Sequence, residues 1–241
     1  MNLTYSEIFK QRGNQYHDAM LRFPQARRAE FEQLFAQTGV AAGERVLDMP
    51  AGGGYLGRYL PADSELVSVE LTPGFGTGLS VHDPAQPWPW GRFDHVVCLA
   101  ALHHIEDQPG FIAGLLDRLQ PGGTLHLADV AAGSGLVQFL DGFVGRFNIT
   151  GHQGSYLRND RGFFSALGDV ARIGELDCSW EFASESDMLA FSAQLFGLVD
   201  CPPEALLQAL QDHVGFERTD KGMRLNWRLL YVDLKAKKNR P

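Results

Sequence analysis

Two hydrophobic rhythms divide this chain of 241 residues. Residues 5–38 carry apolar positions at helical spacing, with a break near Phe23 and Pro24. Beyond the break, Ala26, Ala29, Leu34 and Phe35 punctuate a charged stretch. From residue 44 the rhythm changes. Short apolar runs at 45–48, 65–70, 93–100 and 124–129 alternate with segments at 55–60 and 111–119 that predict helices. Pro61 stops the first helix, and Pro121, Gly122 and Gly123 make a turn before the last run. This alternation predicts a doubly wound α/β fold with a mostly parallel sheet. The run at 93–100 is almost wholly apolar, as suits a strand covered on both faces.

The stretch from 130 to 210 does not keep that rhythm. Segments 137–147 and 161–173 predict helices, 174–183 a strand, and 184–196 and 202–213 further helices, with Ser184 and Ser186 as candidate caps. Residues 224–234 alternate around Asn226 and Arg228 and predict a strand. One domain over 1–241 is expected: a helical cover at 1–43, a core at 44–132, an elaboration at 133–200, and a helix and strand at 201–241 that complete the sheet. Phe139, Phe143, Phe147, Tyr156, Phe163 and Phe164 motivate placing 133–173 over the cleft as a partial cap.

Composition narrows the partners. The net charge of −8 counts against nucleic acid and against an anionic membrane surface. The one basic run, at 235–240, reads as a solvated tail. Cys98, Cys178 and Cys201 are too dispersed for a disulfide framework or a zinc site, and no metal-binding cluster of Cys, His and Asp stands out. The start shows no basic region followed by an apolar one, and no run has membrane length. The expectation is a cytoplasmic protein, monomer or homodimer, acting on a small molecule.

The stretch from Val46 to Gly54 carries the most chemistry. A buried strand ends in Asp48, and Met49-Pro50-Ala51 leads into Gly52-Gly53-Gly54. A nucleotide-like cofactor fits the carboxyl end of such a strand. Asp48 would repel a pyrophosphate and would suit an amine-bearing ligand. Gly52 through Gly57 also satisfies G-x-G-x-x-G, with Glu70 near the distance of a ribose-binding acid, so a dinucleotide is a competing reading. The spacing disfavours it. In the dinucleotide fingerprint the first glycine follows the strand directly, whereas four residues, 48–51, intervene here.

These motifs resemble those of class I S-adenosylmethionine (SAM)-dependent methyltransferases, nearest the ubiquinone and menaquinone methyltransferase branch. Asp48 to Gly54 resembles the acid–glycine motif, with Pro50 in place of the first glycine and Gly52 and Gly54 matching the second and third. Glu70 resembles the acid on the ribose hydroxyls, and Asp83 the acid beside the adenine amine. Leu102-His103-His104-Ile105-Glu106-Asp107 and Leu119-Gln120-Pro121-Gly122-Gly123 resemble the segments after strand four and before strand five. The resemblance covers roughly 44–130. It implies a seven-stranded Rossmann-like sheet with a helical insertion after strand five, and SAM as cofactor. It also implies cofactor contacts from Leu99 and from Tyr16, on a helix folded over the site. Glu70 and Asp83 are too close in sequence for the usual intervening helix, which is expected to shrink to a loop.

Methyl transfer needs an acceptor held in line, water excluded, and a base when the nucleophile starts protonated. His103, His104, Asp129 and His152 sit on loops or strand ends suited to that work, with Tyr156 beside them. Arg27, Arg28, Arg158 and Arg161 are candidates for an anionic substrate, each set against a solvated role. Acceptor identity stays open between O, N and C. So do a SAM-dependent reaction with another outcome, a protein or RNA substrate, and a non-catalytic SAM-binding partner.

Overall fold

The computed structural model describes residues 3–83 and 86–237, so Pro84 and the tail residues Lys238, Asn239 and Arg240 lie outside the described residues. The chain opens with helix α1 (Tyr5–Arg22), started by a Thr4–Glu7 capping box, and a short α2 (Arg28–Leu34). Strands β1 (Arg45–Asp48), β2 (Glu65–Glu70), β3 (Ser80–Val81), β4 (Phe93–Leu99) and β5 (Leu119–Asp129) follow, with α3 (Gln108–Leu116) before β5. A helical run then passes through α4 (Gly135–Val137), a π-helical stretch (Gln138–Val144) and α5 (Gly145–Phe147). After α6 (Arg161–Leu167) come β6 (Asp169–Asp177), β7 (Trp180–Phe182), α7 (Glu185–Leu195), α8 (Pro203–His213), β8 (Phe216–Thr219), β9 (Gly222–Leu225) and β10 (Arg228–Lys235).

Seven strands form one sheet in the order β3-β2-β1-β4-β5-β10-β6. β1 to β5 pair in parallel, and β10 runs antiparallel to both its neighbours. The order reverses between β1 and β4, where a crevice opens beyond the strand ends. Alternate strand residues feed opposite cores. Val46, Val97 and Ala128 face one, while Leu47, Cys98 and Leu127 face the other. The near-continuous apolar strands follow from that double burial.

Several boundaries differ from the sequence reading. The helix expected over 161–173 ends at Leu167, because Gly168 turns extended and its neighbour β10 leaves no room: a Cβ there would sit 2.8 Å from the Lys235 carbonyl. Val170 and Ile173 then lie in β6, an edge strand of the main sheet, so the 133–200 stretch supplies sheet as well as cap. The strand expected at 174–183 divides into β6 and β7, and the one at 224–234 into β9 and β10. The break at Asn226 and Trp227 lets the chain change sheets: β9 pairs with β7 and β8 in a small second sheet. The expected helix at 55–60 is one 3-10 turn, Leu56–Tyr59, and the 111–119 helix lies at 108–116. Between β2 and β3 only a 3-10 turn, Pro73–Phe75, remains, as the short spacing required. Among the described residues, no helix is long and apolar enough to cross a membrane.

Candidate functional site

β1 delivers Asp48 to the switch point, and the three glycines after it all take positive φ. That backbone path suits glycine alone. Asp48 is buried. Burial, and then the charge of Glu70, push its pKa well up. Glu70 ends β2 and is also buried. Its Oε1 accepts from the Gly53 amide at 3.1 Å and its Oε2 from the Tyr5 hydroxyl at 3.2 Å. Burial pushes the Glu70 carboxyl up to about 7, against the pull of these hydrogen bonds. Beside it runs a groove of about 270 Å³ from Glu70 past Thr72 and Gly76 to Val81. The Thr72 hydroxyl there is buried without a partner. Asp83 follows at the exposed far end.

Helix α1 covers this region. Tyr5, Phe9 and Tyr16 pack inward, Phe9 stacks on Phe75 at 5.0 Å, and the Tyr16 hydroxyl lies 3.7 Å from where a Gly52 Cβ would stand. Leu99 ends β4, and Ala100 beyond it turns left-handed at φ 52. The chain is thereby steered into the His103–His104 turn.

His103, His104, Asp129 and His152 come together. Asp129, fully buried at the end of β5, accepts from His103 Nδ1 at 2.6 Å and from the His103 amide at 3.1 Å. An ionised carboxylate only accepts, so the proton sits on Nδ1 and Nε2 is left as the basic nitrogen. The cap supplies a second pair: Asp141 accepts from His152 Nδ1 at 3.0 Å and from the Tyr156 hydroxyl. Burial opposes the Asp141 charge, yet these bonds hold its pKa below the usual carboxylate value. Burial also keeps His104 and His152 neutral, lowering both. The Ser155 amide donates to the His103 carbonyl at 2.8 Å and ties the cap loop to the turn.

These imidazoles border a cavity of about 60 Å³ whose opposite wall is aromatic. Trp180 and Trp227 stack at 4.1 Å, with Phe196 beside them. Arg12 of α1 and Arg27 also line it. Arg27 is buried and neutralised by Glu30, while Arg28, Arg158 and Arg161 are exposed. Ring nitrogens of His103, His104 and His152 lie within 4.8 Å of one another, a grouping that a divalent cation could draw together. Zinc–nitrogen bonds of about 2.0–2.1 Å would need the rings closer, and the Arg12 charge acts on His104 and His152.

Asp141, Arg12, Trp227 and Phe196 are not among the residues the sequence singles out. Arg12 had a signal: Phe9, Arg12 and Tyr16 share one helical face by spacing. Asp141 had none, since an isolated acid in an aromatic helix resembles a surface position.

Residues 47–127 match the family model described as a methyltransferase domain. With the strand order and the Asp48–Gly54 turn, that decides the fold. This is a class I SAM-dependent methyltransferase fold. A ubiquinone biosynthesis O-methyltransferase of Xanthomonas euvesicatoria pv. vesicatoria is 32% identical over 104 residues, 36% of this chain and 43% of that protein. The chain spans less than half the length of the first curated relatives it matches. Among solved structures, magnesium protoporphyrin IX methyltransferase of Synechocystis PCC 6803, with S-adenosylhomocysteine (SAH) bound, is 19% identical. That match covers 70% of this chain and 90% of that one, at TM-score 0.52. The 4+2 cyclase SpnF is 15% identical over 98% of both chains at TM-score 0.54. The methyltransferase fold and domain indicate SAM as the cofactor. The buried Asp48 carboxyl, the unpartnered Thr72 hydroxyl and the positive-φ glycines fit such a ligand.

Proposed function

We propose that the protein transfers a methyl group from SAM to a small molecule held in the aromatic cavity. The observation that carries this reading is the His103–Asp129 pair, which directs a basic imidazole nitrogen at the cavity beside the cofactor turn. SAM supplies an electrophilic methyl on a sulfonium. Asp48 takes the ammonium of the cofactor, and Glu70 accepts from the ribose hydroxyls through its two oxygens. Gly52 and Gly54 let the backbone approach closely, and Asp83, Leu99 and Tyr16 complete the contact. His103 accepts the acceptor's proton at Nε2, and Asp129 stabilises the imidazolium that results. His104 and His152 orient the acceptor, and the tryptophan wall keeps water away. The site belongs to one domain acting in a soluble cytoplasmic setting, with the 133–173 elaboration as its cover.

The test is single-turnover transfer of labelled methyl to candidate acceptors, with SAH affinity measured in parallel. His103→Asn should slow transfer by on the order of 10²–10⁴ and leave SAH affinity within about twofold. Wild-type transfer in that variant would remove His103 from the chemistry. SAM consumed without methyl in the acceptor would favour the second reading, another SAM-dependent outcome on the fold it shares with the cyclase.

A further inference from the structure

Arg12 is a buried charge without a counter-charge among the described residues. Its side chain is 5% exposed. One guanidinium nitrogen, Nη1, donates to the Leu195 carbonyl at 2.9 Å, at the end of α7. Nε is buried without a partner, and among the described residues no carboxylate comes within ion-pairing distance. The guanidinium rests over the Phe9 ring at 5.0 Å. Arg27, on the same cavity, is the contrast: it pairs with a buried glutamate and with the Tyr16 hydroxyl. The two nearby acids are already engaged, Asp129 by His103 and Asp141 by His152 and Tyr156. His104 and His152 face Arg12 as neutral rings. Burial lowers Arg12 to about 10, so it is still a cation at neutral pH.

A buried cation with no counter-charge costs the fold stability. A ligand that brings the missing charge repays that cost. The guanidinium fork matches a planar carboxylate bidentately. One cation matches a monoanion, which favours a carboxylate over a phosphate. The cavity of about 60 Å³ bounds the rest of the ligand. Since one water needs roughly 10–15 Å³ on this measure, the space suits about one small ring. The stacked Trp180 and Trp227 give that ring a flat wall.

We propose that the cavity is an anion subsite in which Arg12 pairs with the carboxylate of a single-ring aromatic acid lying against the Trp180–Trp227 wall. This rests on reading the cavity as the acceptor site, and it narrows the acceptor to a class. It also assigns the buried arginine to recognition, leaving proton transfer to His103.

The test uses binding, with benzoate and the neutral isostere benzamide as probes. Each is titrated by calorimetry into the full chain, with and without SAH, and melting temperatures are read alongside. Benzoate should bind at least about tenfold tighter than benzamide. Arg12→Met should lose that preference while melting at the same temperature as the wild type or higher, because it removes an uncompensated buried charge. Arg12→Lys should retain part of the preference. Equal affinity for the two probes, or no benzoate binding at millimolar concentration, overturns the proposal from the wild-type protein alone, whatever the variants do. Undiminished benzoate binding by Arg12→Met also overturns it. Loss of SAH binding would instead strike the cofactor reading, since the probe comparison is made without SAH as well.

Discussion

At the scale of single residues, the site depends on carboxyls whose surroundings set their charge. Glu70 shows how this becomes measurable. Its pKa stands at about 7 in the folded chain, against an ordinary value of 4.5. The folded state therefore holds a proton that the unfolded chain has released across that interval. This group's contribution to stability is full below about 4.5, falls as pH rises through 7, and is flat above. A ligand whose hydroxyls donate to the carboxylate favours the deprotonated form. SAH affinity should therefore rise between pH 6 and 8 by on the order of tenfold, and Glu70→Gln should bind weakly with a flat profile. Calorimetry at a series of pH values checks this; an equally steep rise in the variant would assign the titration to another group. Asp48, Glu70 and the glycines were legible in sequence because their chemistry is local to one strand–turn unit. Asp141 and Arg12 were not, because their meaning lies in what surrounds them.

At the scale of elements, α1 decides how the cofactor region is closed. It meets the turn after β2 backbone to backbone. A Cβ on Gly74 would lie 1.9 Å from the Phe9 carbonyl oxygen, and one on Gly13 would lie 2.5 Å from the Gly74 carbonyl oxygen. Between β2 and β3 only the turn Pro73–Phe75 remains, and α1 packs directly on it, with the Tyr5 hydroxyl donating to Glu70. Gly74→Ala should thus push α1 outward, cost about 1–3 kcal/mol in denaturant unfolding, and weaken SAH binding. Gly114→Ala in α3, where nothing lies within 4 Å of the new Cβ, is the control and should be neutral or slightly stabilising. Equal behaviour of the two variants would remove α1 as a determinant of the site. Nothing in the local pattern signals this contact, since Gly13 interrupts a helix it would be expected to weaken. Tertiary proximity turns the missing side chain into a requirement.

At the scale of the whole molecule, a buried polar chain joins the sheet to its helical cover. Asp233 of β10 pairs with Arg172 of β6 at 2.7 Å and accepts from His126 of β5 at 2.8 Å, and His126 contacts His95 of β4 at 2.9 Å. Arg172 also donates to the Gln33 and Leu34 carbonyls at the end of α2. Asp233→Asn leaves a buried arginine uncompensated and should cost about 3–5 kcal/mol of unfolding free energy. SAH affinity, measured well below the melting temperature, should stay within about twofold, because the network lies away from Asp48 and Glu70. A parallel loss of affinity would show that the sheet edge and the cofactor crevice are coupled. Sequence alone determined the α/β core, its mostly parallel seven-stranded sheet by resemblance, and the acid–glycine turn at the end of β1. Those features follow from periodicity and turn chemistry that act over a few residues. The tertiary structure alone decided which buried arginine lacks a counter-charge, which imidazoles converge, and that Trp180 and Trp227 form one wall. Those depend on contacts between α1, the β4 and β5 ends, the cap and the second sheet, and burial acquires a sign only when the neighbours on every side are known.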